Sequence, residues 1–273
     1  MSYKSILVNL DIDGPIVPIV TAAADLAKRH EARLIGFCAA DAPLPITGPG
    51  GEGLAVEAWQ QLMRDIEHRF KELRGQFHKL VAGAVETEWC GVLENPTRAM
   101  VRLSRTADLV VMGASEGAAT GDVYRKSDPG SVVLQAGRPL LVVAHGADIV
   151  SARKIAVAWK DTREARRAVA DAVPLLLKAD EVIVVSVTAE IDAWTREGVA
   201  DVVAFLASHG VRTRSEIIES SDDTDKLLGF FASCGADLVV SGAYGHSRLR
   251  EWVFGGVTRS LLDETGLNRF MST

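Results

Sequence analysis

An internal repeat constrains the fold of this chain more than any other feature of its sequence. TADLVVMGAS at 106–115 returns as GADLVVSGAY at 235–244, and ILVNLD at 6–11 is answered by IAVAWK at 155–160. A repeat on this scale indicates one structural unit used twice. Because 273 residues suffice for two domains of ordinary size, we expect domains at 1–147 and 151–273, joined near HGADIVSAR.

The first repeat is the longer one. Ile6 and Ile155 are 149 residues apart, whereas Asp108 and Asp237 are 129 apart, so about twenty extra residues lie between these landmarks in the first repeat. Proline and glycine are dense in DAPLPITGPGGEG at 41–53, and such a composition is typical of irregular structure. We therefore expect an insertion near 41–53.

Both repeats alternate short apolar runs with segments of helical periodicity. In the second repeat we expect strands at 154–159, 181–187, 211–218 and 237–242. Helices are expected between them, over 162–178, through 199–210 and from Ser221 to Cys234, and a helix–strand pair follows from Gly255. In the first repeat, Asn95 and Pro96 predict a capped helix start. Strands this apolar favour a parallel sheet covered by helices on both faces.

The predicted fold class is therefore α/β, with two tandem doubly wound parallel-sheet units, Rossmann-like and similar to the nucleotide α-hydrolase fold, that form a pseudo-dimer. In sheets of this kind a ligand binds beyond the carboxyl ends of the strands.

The composition excludes several classes of function. A net charge of −6 gives no overall attraction for nucleic acid or for an anionic membrane surface. The sequence has neither a secretory signal nor an apolar run long enough for a membrane helix, which favours a cytoplasmic protein. Three dispersed cysteines, Cys38, Cys90 and Cys234, predict buried thiols, and six histidines without metal-binding spacing predict no metal site.

The stretch GAYGHSRLREWVFGGVT at 242–258 carries the strongest functional signal. Gly242 ends a predicted strand, Gly245 follows in the loop, and Gly255 and Gly256 open the next helix. Glycine lets a backbone approach a ligand closely, and a helix N-terminus holds phosphate well. The alternative is structural, in that Gly242 terminates a strand and Gly255 permits close helix–sheet packing. Four glycines at the ligand-binding edge of an α/β unit favour a phosphate site.

This combination resembles the universal stress protein family in its tandem form, over nearly the whole chain. The family motif G-x2-G-x9-G-[S/T] binds the ribose and phosphates of ATP, and Gly242, Gly245 and Gly255 have its spacing. The resemblance implies a nucleotide site in the second domain. Its expected binding residues are Gly242, Gly245, His246, Arg248, Gly255, Gly256, Val257, Thr258 and Val187. The expected cofactor is ATP, with Mg²⁺ bound to its phosphates, and no other cofactor is expected.

Since the fifth strand of this family usually pairs two units, the resemblance also implies that GRPLLVVA at 137–144 and LNRFMST at 267–273 pair the two units within the chain. Further dimerisation is then expected to be weak.

The second unit departs from the family pattern at two positions. Gly256 stands where a hydroxyl residue normally contacts phosphate, and Thr258 is the nearest substitute. Lys160 stands where nucleotide-binding members usually have an acid, and Asp161 follows one residue late. Trp252 and Phe254, in the glycine loop, are expected either to shield a nucleotide or to cover an apolar patch, whereas the other tryptophans (Trp59, Trp89, Trp159 and Trp194) are expected in the core or at interfaces.

The first unit departs in the opposite sense. It keeps the acid, as Asp11, and the motif positions Gly113, Gly130 and Ser131, which are the weaker binding candidates. Glu116 replaces the second glycine, and thirteen residues separate it from Gly130 where nine are expected. The loop at 116–131 has a formal charge of −1, whereas 246–256 carries +1. Because surplus negative charge opposes a triphosphate, the first unit is expected to be a degenerate, structural partner.

No catalytic motif accompanies these features. A P-loop, the protein-kinase set, GxSxG and the SGGxDS loop of ATP pyrophosphatases are all absent. Asp11-x-Asp13 could serve magnesium or an aspartyl phosphate, but acids at a helix entry are common. The first hypothesis is a stress-response regulatory protein that binds ATP or a related nucleotide without efficient catalysis. The second hypothesis is a scaffold that binds no nucleotide and associates with a protein partner or with a second copy of the chain. A phosphohydrolase is a weaker third hypothesis.

Overall fold

The computed structural model describes residues 2–43, 52–114, 122–244 and 256–273. The strands are β1 (Ser5–Asn9), β2 (Arg33–Ala40), β3 (Thr87–Leu93), β4 (Leu109–Gly113), β5 (Leu140–Val143), β6 (Lys154–Ala158), β7 (Glu181–Thr188), β8 (Thr213–Glu219), β9 (Leu238–Gly242) and β10 (Asn268–Ser272). The helices are α1 (Val17–His30), α2 (Glu52–Val81), α3 (Pro96–Leu103), α4 (Pro129–Gln135), α5 (Arg163–Leu176), α6 (Ala193–Ser208), α7 (Asp223–Cys234) and α8 (Gly256–Asp263).

The strands form a single sheet in the order β3-β2-β1-β4-β5-β10-β9-β6-β7-β8. The order within each half of the chain is the same, reflected about the β5–β10 pair. That pair is antiparallel, with Phe270 opposite Leu141, and the other described pairs are parallel. The predicted α/β class is confirmed, and so is the pairing of the two fifth strands within the chain.

Helices cover both faces of the sheet, which explains why its inner strands are apolar at successive positions. On β4, Val111 faces the core under α1, α2, α5 and α6, while its neighbour Val110 faces the core under α3, α4, α7 and α8. Both side chains are fully buried. Only strands covered on both sides need this pattern. The edge strands β3 and β8 are partly exposed and correspondingly more polar.

Side-chain caps set the helix starts. Asn95 accepts a hydrogen bond from Arg98 N and Pro96 is the first helical residue, as expected. Asp222 caps α7, which therefore begins at Asp223, two residues after the predicted Ser221. Asp192 caps α6 by accepting from Thr195 N, so that helix begins six residues before the predicted 199.

The extra length of the first repeat is mostly helix. Helix α2 has 30 residues, whereas its counterpart α6 has 16. The expectation of irregular structure through 41–53 is therefore wrong at Glu52 and Gly53, which begin α2; residues 44–51 lie outside the described ranges. An apolar stripe that includes Trp59, Ile66 and Phe77 packs α2 on the core, and this burial outweighs the helix-breaking tendency of Gly53.

The expectation that all three cysteines are buried is wrong. Cys38 is buried, and burial raises the pKa of its thiol to about 12, but Cys90 and Cys234 are only partly buried. Trp194 is 69% exposed, so of its two expected places, core or interface, the core does not apply. No helix in the described part of the chain is long and apolar enough to cross a membrane.

Candidate functional site

A cavity of about 280 Å³ lies at the carboxyl ends of β6, β7 and β9. It sits where a doubly wound sheet places ligands. The cavity is lined by Ala158, Trp159, Lys160, Thr162, Ala165, Val187, Asp223, Thr224, Leu227, Ser241, Gly242, Gly256, Val257 and Thr258. Five candidates from the sequence thus lie together in it: Val187, Gly242, Gly256, Val257 and Thr258.

Gly242 closes one side of this cavity because helix α5 approaches its backbone. A Cβ at Gly242 would lie 2.5 Å from Ala165 N and 2.7 Å from the carbonyl carbon of Glu164. These are backbone atoms at the start of α5, and they cannot give way as a flexible side chain would. Glycine at this position is therefore required by helix–sheet packing, the structural alternative considered for these glycines, whether or not a ligand binds.

Lys160 and Asp223 form an ion pair at the cavity. Lys160 follows β6, Asp223 begins α7, and Lys160 Nζ lies 3.0 Å from Asp223 Oδ2. Both side chains are partly exposed, at 55% and 33%. The pair balances charge across the cavity, and it leaves the backbone N–H groups at the start of α7 next to the same space.

The start of α8 supplies the third side of the cavity. Thr258 is 5% exposed, and its Oγ1 accepts a hydrogen bond of 3.2 Å from Tyr244 N. Tyr244 has a left-handed backbone, with φ at 61°, so this hydrogen bond stabilises the turn that leaves β9. A Cβ at Gly256 would meet Thr224 Oγ1 at 3.1 Å. A side chain at Gly256 therefore fits only if Thr224 shifts by a few tenths of an ångström.

Four further candidates, Gly245, His246, Arg248 and Gly255, lie outside the described residues, as do Trp252 and Phe254. The sequence reasoning missed Thr224 and Leu227 as lining residues. It predicted only a helix from Ser221 to Cys234 in this region, although the start of a helix that follows a strand lies at the carboxyl edge of a parallel sheet.

The equivalent edge of the first half is covered by its own chain. Arg125 makes two hydrogen bonds to Asp13, of 2.5 and 2.7 Å, and this pairing holds the pKa of Asp13 below its usual value. Asp41 N donates to Tyr124 O at 2.8 Å, and Asn95 Nδ2 donates to Val123 O at 2.9 Å. Residues 122–125 are thus fixed to the segments that follow β1, β2 and β3.

Asp11 lies beneath this cover. Asn9 Nδ2 donates to Asp11 Oδ1 at 3.0 Å, and Ser127 Oγ lies 3.4 Å from Asn9 Oδ1. Burial raises the pKa of Asp11, and this effect exceeds the opposing ones of Asn9 and Lys126. A carboxyl group with a raised pKa and a covering segment is poorly suited to contact a solvent-borne ligand.

The other first-half candidates, Gly113, Gly130 and Ser131, differ in their surroundings. A Cβ added at Gly113 would have no atom within 4 Å, in contrast to one at Gly242. At Gly130 a Cβ would meet Tyr244 Oη at 2.9 Å, so this glycine accommodates a side chain from the second half. Ser131 N donates to the capping Asp128 Oδ2 at 2.7 Å, which makes Ser131 part of the start of α4.

No group of three or more His, Cys, Asp or Glu side chains among the described residues is arranged to hold a metal ion. In particular, Asp13 of the Asp11-x-Asp13 pair is already bound to Arg125. The chain's own residues in the second-half cavity, Lys160 and Asp223, are compatible with a nucleotide that brings its own cation, but they do not make a resident metal site.

Comparison of the structure with solved structures reveals similar folds over the entire chain. A universal stress protein from Archaeoglobus fulgidus DSM 4304 matches with a TM-score of 0.76 at 14% identity, covering 98% of this chain and 96% of that one. A putative universal stress protein from Pseudomonas aeruginosa UCBPP-PA14 matches with a TM-score of 0.61 at 14% identity, covering 99% and 93%. A functionally unknown protein from Pseudomonas aeruginosa PAO1 gives 0.60 at 14% identity, covering 99% and 92%.

No protein-family model and no curated protein matches the sequence. The structural matches nevertheless confirm, at the level of the fold, the resemblance to universal stress proteins that the sequence predicts.

Proposed function

We propose that this chain is a stress-response regulatory protein that binds ATP or a related nucleotide in the second-half cavity, without efficient catalysis. The observation that carries the proposal is the convergence of Gly242, Gly256, Val257 and Thr258, all from the glycine-rich stretch, on one cavity at the carboxyl edge of the sheet. Val187 and Leu227 give the same cavity an apolar wall, which suits a base or sugar.

The electrostatics of the cavity support an anionic ligand. Helices α7 and α8 both begin at it, with Asp223 and Gly256 as their first residues. The start of α7 is already capped by Asp222, which accepts from Asp225 N, so the contribution to phosphate binding comes from the N–H groups and the positive dipole end of α8. The ammonium group of Lys160 is a cation that can bind a phosphate group, either while it stays paired with Asp223 or after that ion pair breaks.

The absence of efficient catalysis is inferred from the titratable groups. Among the described lining residues these are Lys160 and Asp223, and they are bound to each other. A general base must reach the proton that it removes, and the Asp223 carboxylate is engaged by Lys160 instead. Nucleotide binding then acts by changing the conformation or partners of the protein.

We further propose that residues 1–147 and 151–273 are two domains with different roles. Because residues 122–125 cover the carboxyl edge of the first half through Arg125, Tyr124 and Val123, the first domain is assigned a structural role. Its contact with the second domain includes Tyr244, which reaches Gly130.

A scaffold that binds a protein partner and no nucleotide is the second candidate. Two observations favour it: the Lys160–Asp223 ion pair satisfies both charges without a ligand, and Gly256 offers no hydroxyl to a phosphate. Both candidates use the same fold, so they differ in what occupies the cavity.

The experiment that separates them is the measurement of nucleotide binding by the full chain. Protein purified without added nucleotide is denatured, and the released material is identified by mass spectrometry; ATP is then titrated by calorimetry into the nucleotide-free protein. Gly245→Val places a branched side chain in the predicted phosphate loop and should abolish binding, whereas Gly117→Val, in the first-half loop, should leave it unchanged. Equal losses from both changes would mean that the two sites are ranked wrongly, and no binding by the wild-type chain favours the scaffold.

A further inference from the structure

A second cavity lies between α5 and α6; it adjoins the proposed nucleotide site, and Trp159 lines both cavities. Its volume is about 540 Å³, within the range of sites for small organic molecules. It is lined by Trp159, Asp161, Arg166, Val169, Trp194, Glu197, Gly198, Asp201, Val202 and Phe205. We call it the α5–α6 groove.

The groove exists because the two halves of the chain pack these helices differently. Helix α1 packs directly on α2, whereas α5 and α6 make few contacts with each other. Ile12, at the position in the first repeat that Asp161 holds in the second, is fully buried in the core. The second half therefore leaves open a space that the first half fills with apolar side chains.

One face of α6 presents two acidic side chains along the groove, with an aromatic side chain on either side of them. Trp194, Glu197, Asp201 and Phe205 follow each other at spacings of three and four residues, so they share one side of the helix. Trp194 is 69% and Phe205 39% exposed. Exposed aromatic groups on this scale are typical of binding surfaces.

The charges of the groove are unbalanced. Arg166 pairs with Asp161, with NH2 to Oδ1 at 2.5 Å, but neither Glu197 nor Asp201 has a hydrogen-bond or salt-bridge partner within the described residues. Like charges four residues apart on a helix repel each other. A cation bound between Glu197 and Asp201 removes this repulsion.

Trp159 supplies an independent sign of a ligand. It is 8% exposed, yet its indole N–H donates no hydrogen bond to any described residue, and the side chain lines the groove. A Cβ at Gly198 would lie 3.8 Å from Trp159 Nε1 and 3.9 Å from Asp161 Cβ. Packing therefore does not require glycine at this helical position. Because Gly198 has no side chain, the space over Trp159 stays open.

We propose that the α5–α6 groove binds a small organic cation with an apolar body, such as an aryl-alkyl amine. The ammonium group lies between Glu197 and Asp201, and the apolar body packs on Trp194 and Phe205, since cations and aromatic faces attract each other. An oxygen acceptor on the ligand, or a water molecule, takes the hydrogen bond of Trp159 Nε1.

The test compares two probes of nearly equal size, 2-phenylethylammonium and 2-phenylethanol. Binding to the full chain is measured by saturation-transfer NMR and calorimetry at neutral pH. We expect the cation to bind at least about tenfold more tightly than the alcohol. Equal binding of the two probes, or no binding of the cation, overturns the proposal.

Variants locate the site. Gly198→Leu places a side chain over Trp159, where the nearest atoms to an added Cβ are side-chain atoms, and it should abolish binding. Glu197→Gln combined with Asp201→Asn should weaken binding of the cation but not of the alcohol. Glu67→Gln removes an exposed carboxylate on α2 and serves as the matched control; it should change nothing. Far-UV circular dichroism verifies that each variant is folded. Unchanged cation binding by folded Gly198→Leu overturns the assignment. ATP binding is measured in parallel because Trp159 lines both cavities.

Discussion

Lys160 Nζ lies 3.0 Å from Asp223 Oδ2, and this ion pair joins the end of β6 to the start of α7 across the proposed nucleotide cavity. The two residues are 63 positions apart in the chain, and the sequence by itself singles out Lys160 but not Asp223 as its partner. Together they determine whether the cavity offers a phosphate group a free cation or a neutralised pair. The ion pair is therefore the feature of the site that substitution can test most directly.

We expect Asp223→Asn to tighten ATP binding and Lys160→Met to weaken it. The first change frees the lysine and removes a negative charge beside the phosphates, whereas the second removes the cation. Because exposed ion pairs contribute only about 0–1 kcal/mol to stability, both variants should remain folded. Calorimetric titration of ATP into each variant measures the effect.

Lys154→Met is the matched control. Lys154 Nζ lies 2.9 Å from Glu181 Oε2, so this ion pair has the same kind of geometry, but it sits where β6 and β7 begin, at the opposite edge of the sheet. It should not alter ATP binding. If Lys154→Met and Lys160→Met changed the affinity for ATP equally, the effect would reflect the overall charge of the protein. It would then not identify the cavity as the ATP-binding site.

Gly242→Ala is expected to destabilise the protein strongly, because its Cβ would lie 2.5 Å from Ala165 N. Overpacking of this kind typically costs about 1–3 kcal/mol, and a clash with backbone belongs at the upper end. Gly113, at the same position in the first repeat, has nothing within 4 Å of an added Cβ, so Gly113→Ala should be tolerated. Urea unfolding of both variants gives the comparison.

The different effects expected for Gly242→Ala and Gly113→Ala follow from where the first helix of each half begins. In the second half, α5 begins at Arg163, soon after β6 ends at Ala158, whereas α1 begins at Val17 after a longer connection from Asn9. The shorter connection brings the start of α5 against β9. Equal destabilisation by the two glycine substitutions would contradict this account of the asymmetry.

The stability of the fold should decrease as the pH falls through the range in which His30 titrates. His30 is 2% exposed, and burial, together with Lys178 and Arg29, lowers its pKa from 6.5 to about 4. A histidine with a lowered pKa in the folded state contributes stability above pH 6.5, and this contribution is lost as the pH falls toward 4. The full loss amounts to about 3 kcal/mol.

His30→Phe removes this titration and keeps an aromatic ring beside Tyr3, whose ring centroid lies 5.1 Å from that of His30. Its free energy of unfolding should therefore vary less between pH 7 and pH 4 than that of the wild type, as measured by urea titrations at several pH values. His68→Gln, on a side chain that is 75% exposed, should retain the wild-type dependence. A steep dependence in His30→Phe would exclude His30 as the cause.

The sequence predicted the features that depend on local pattern. The apolar runs around Val110 and Val239 indicated strands buried on both faces, and their repetition indicated two similar halves. The same reasoning identified Gly242 and Thr258 as neighbours of a ligand edge, since strand ends and helix starts converge there in any parallel sheet.

The features that it missed depend on distances between segments far apart in the chain. Gly53 suggested a break, but the apolar stripe of α2 extends the helix through it. Trp159 is in the core, as expected, but nothing in the local sequence of Trp159 or Trp194 indicates that α5 and α6 leave a groove between them. The Lys160–Asp223 ion pair likewise requires the fold before it can be recognised.

Gly256→Ser is expected to tighten ATP binding by restoring the hydroxyl that the glycine motif lacks. A hydrogen bond to a charged oxygen contributes about 1.5–3 kcal/mol, which corresponds to about one to two decades in affinity. The added Cβ would lie 3.1 Å from Thr224 Oγ1, so the gain requires a small shift of Thr224. Calorimetric titration of ATP into the wild type and the variant measures the difference.

The double variant Gly256→Ser/Thr224→Ala removes that obstacle and should bind at least as tightly as the single variant. Thr258→Ala serves as the complementary test. Because Thr258 Oγ1 accepts from Tyr244 N, its removal should cost about 1 kcal/mol of folding stability, and it weakens ATP binding further only if this hydroxyl also contacts phosphate. Thr258→Ser keeps the hydroxyl and should preserve both properties. If ATP binding stays undetectable in the wild type, in Gly256→Ser and in the double variant, the cavity is not a nucleotide site and the scaffold hypothesis replaces it.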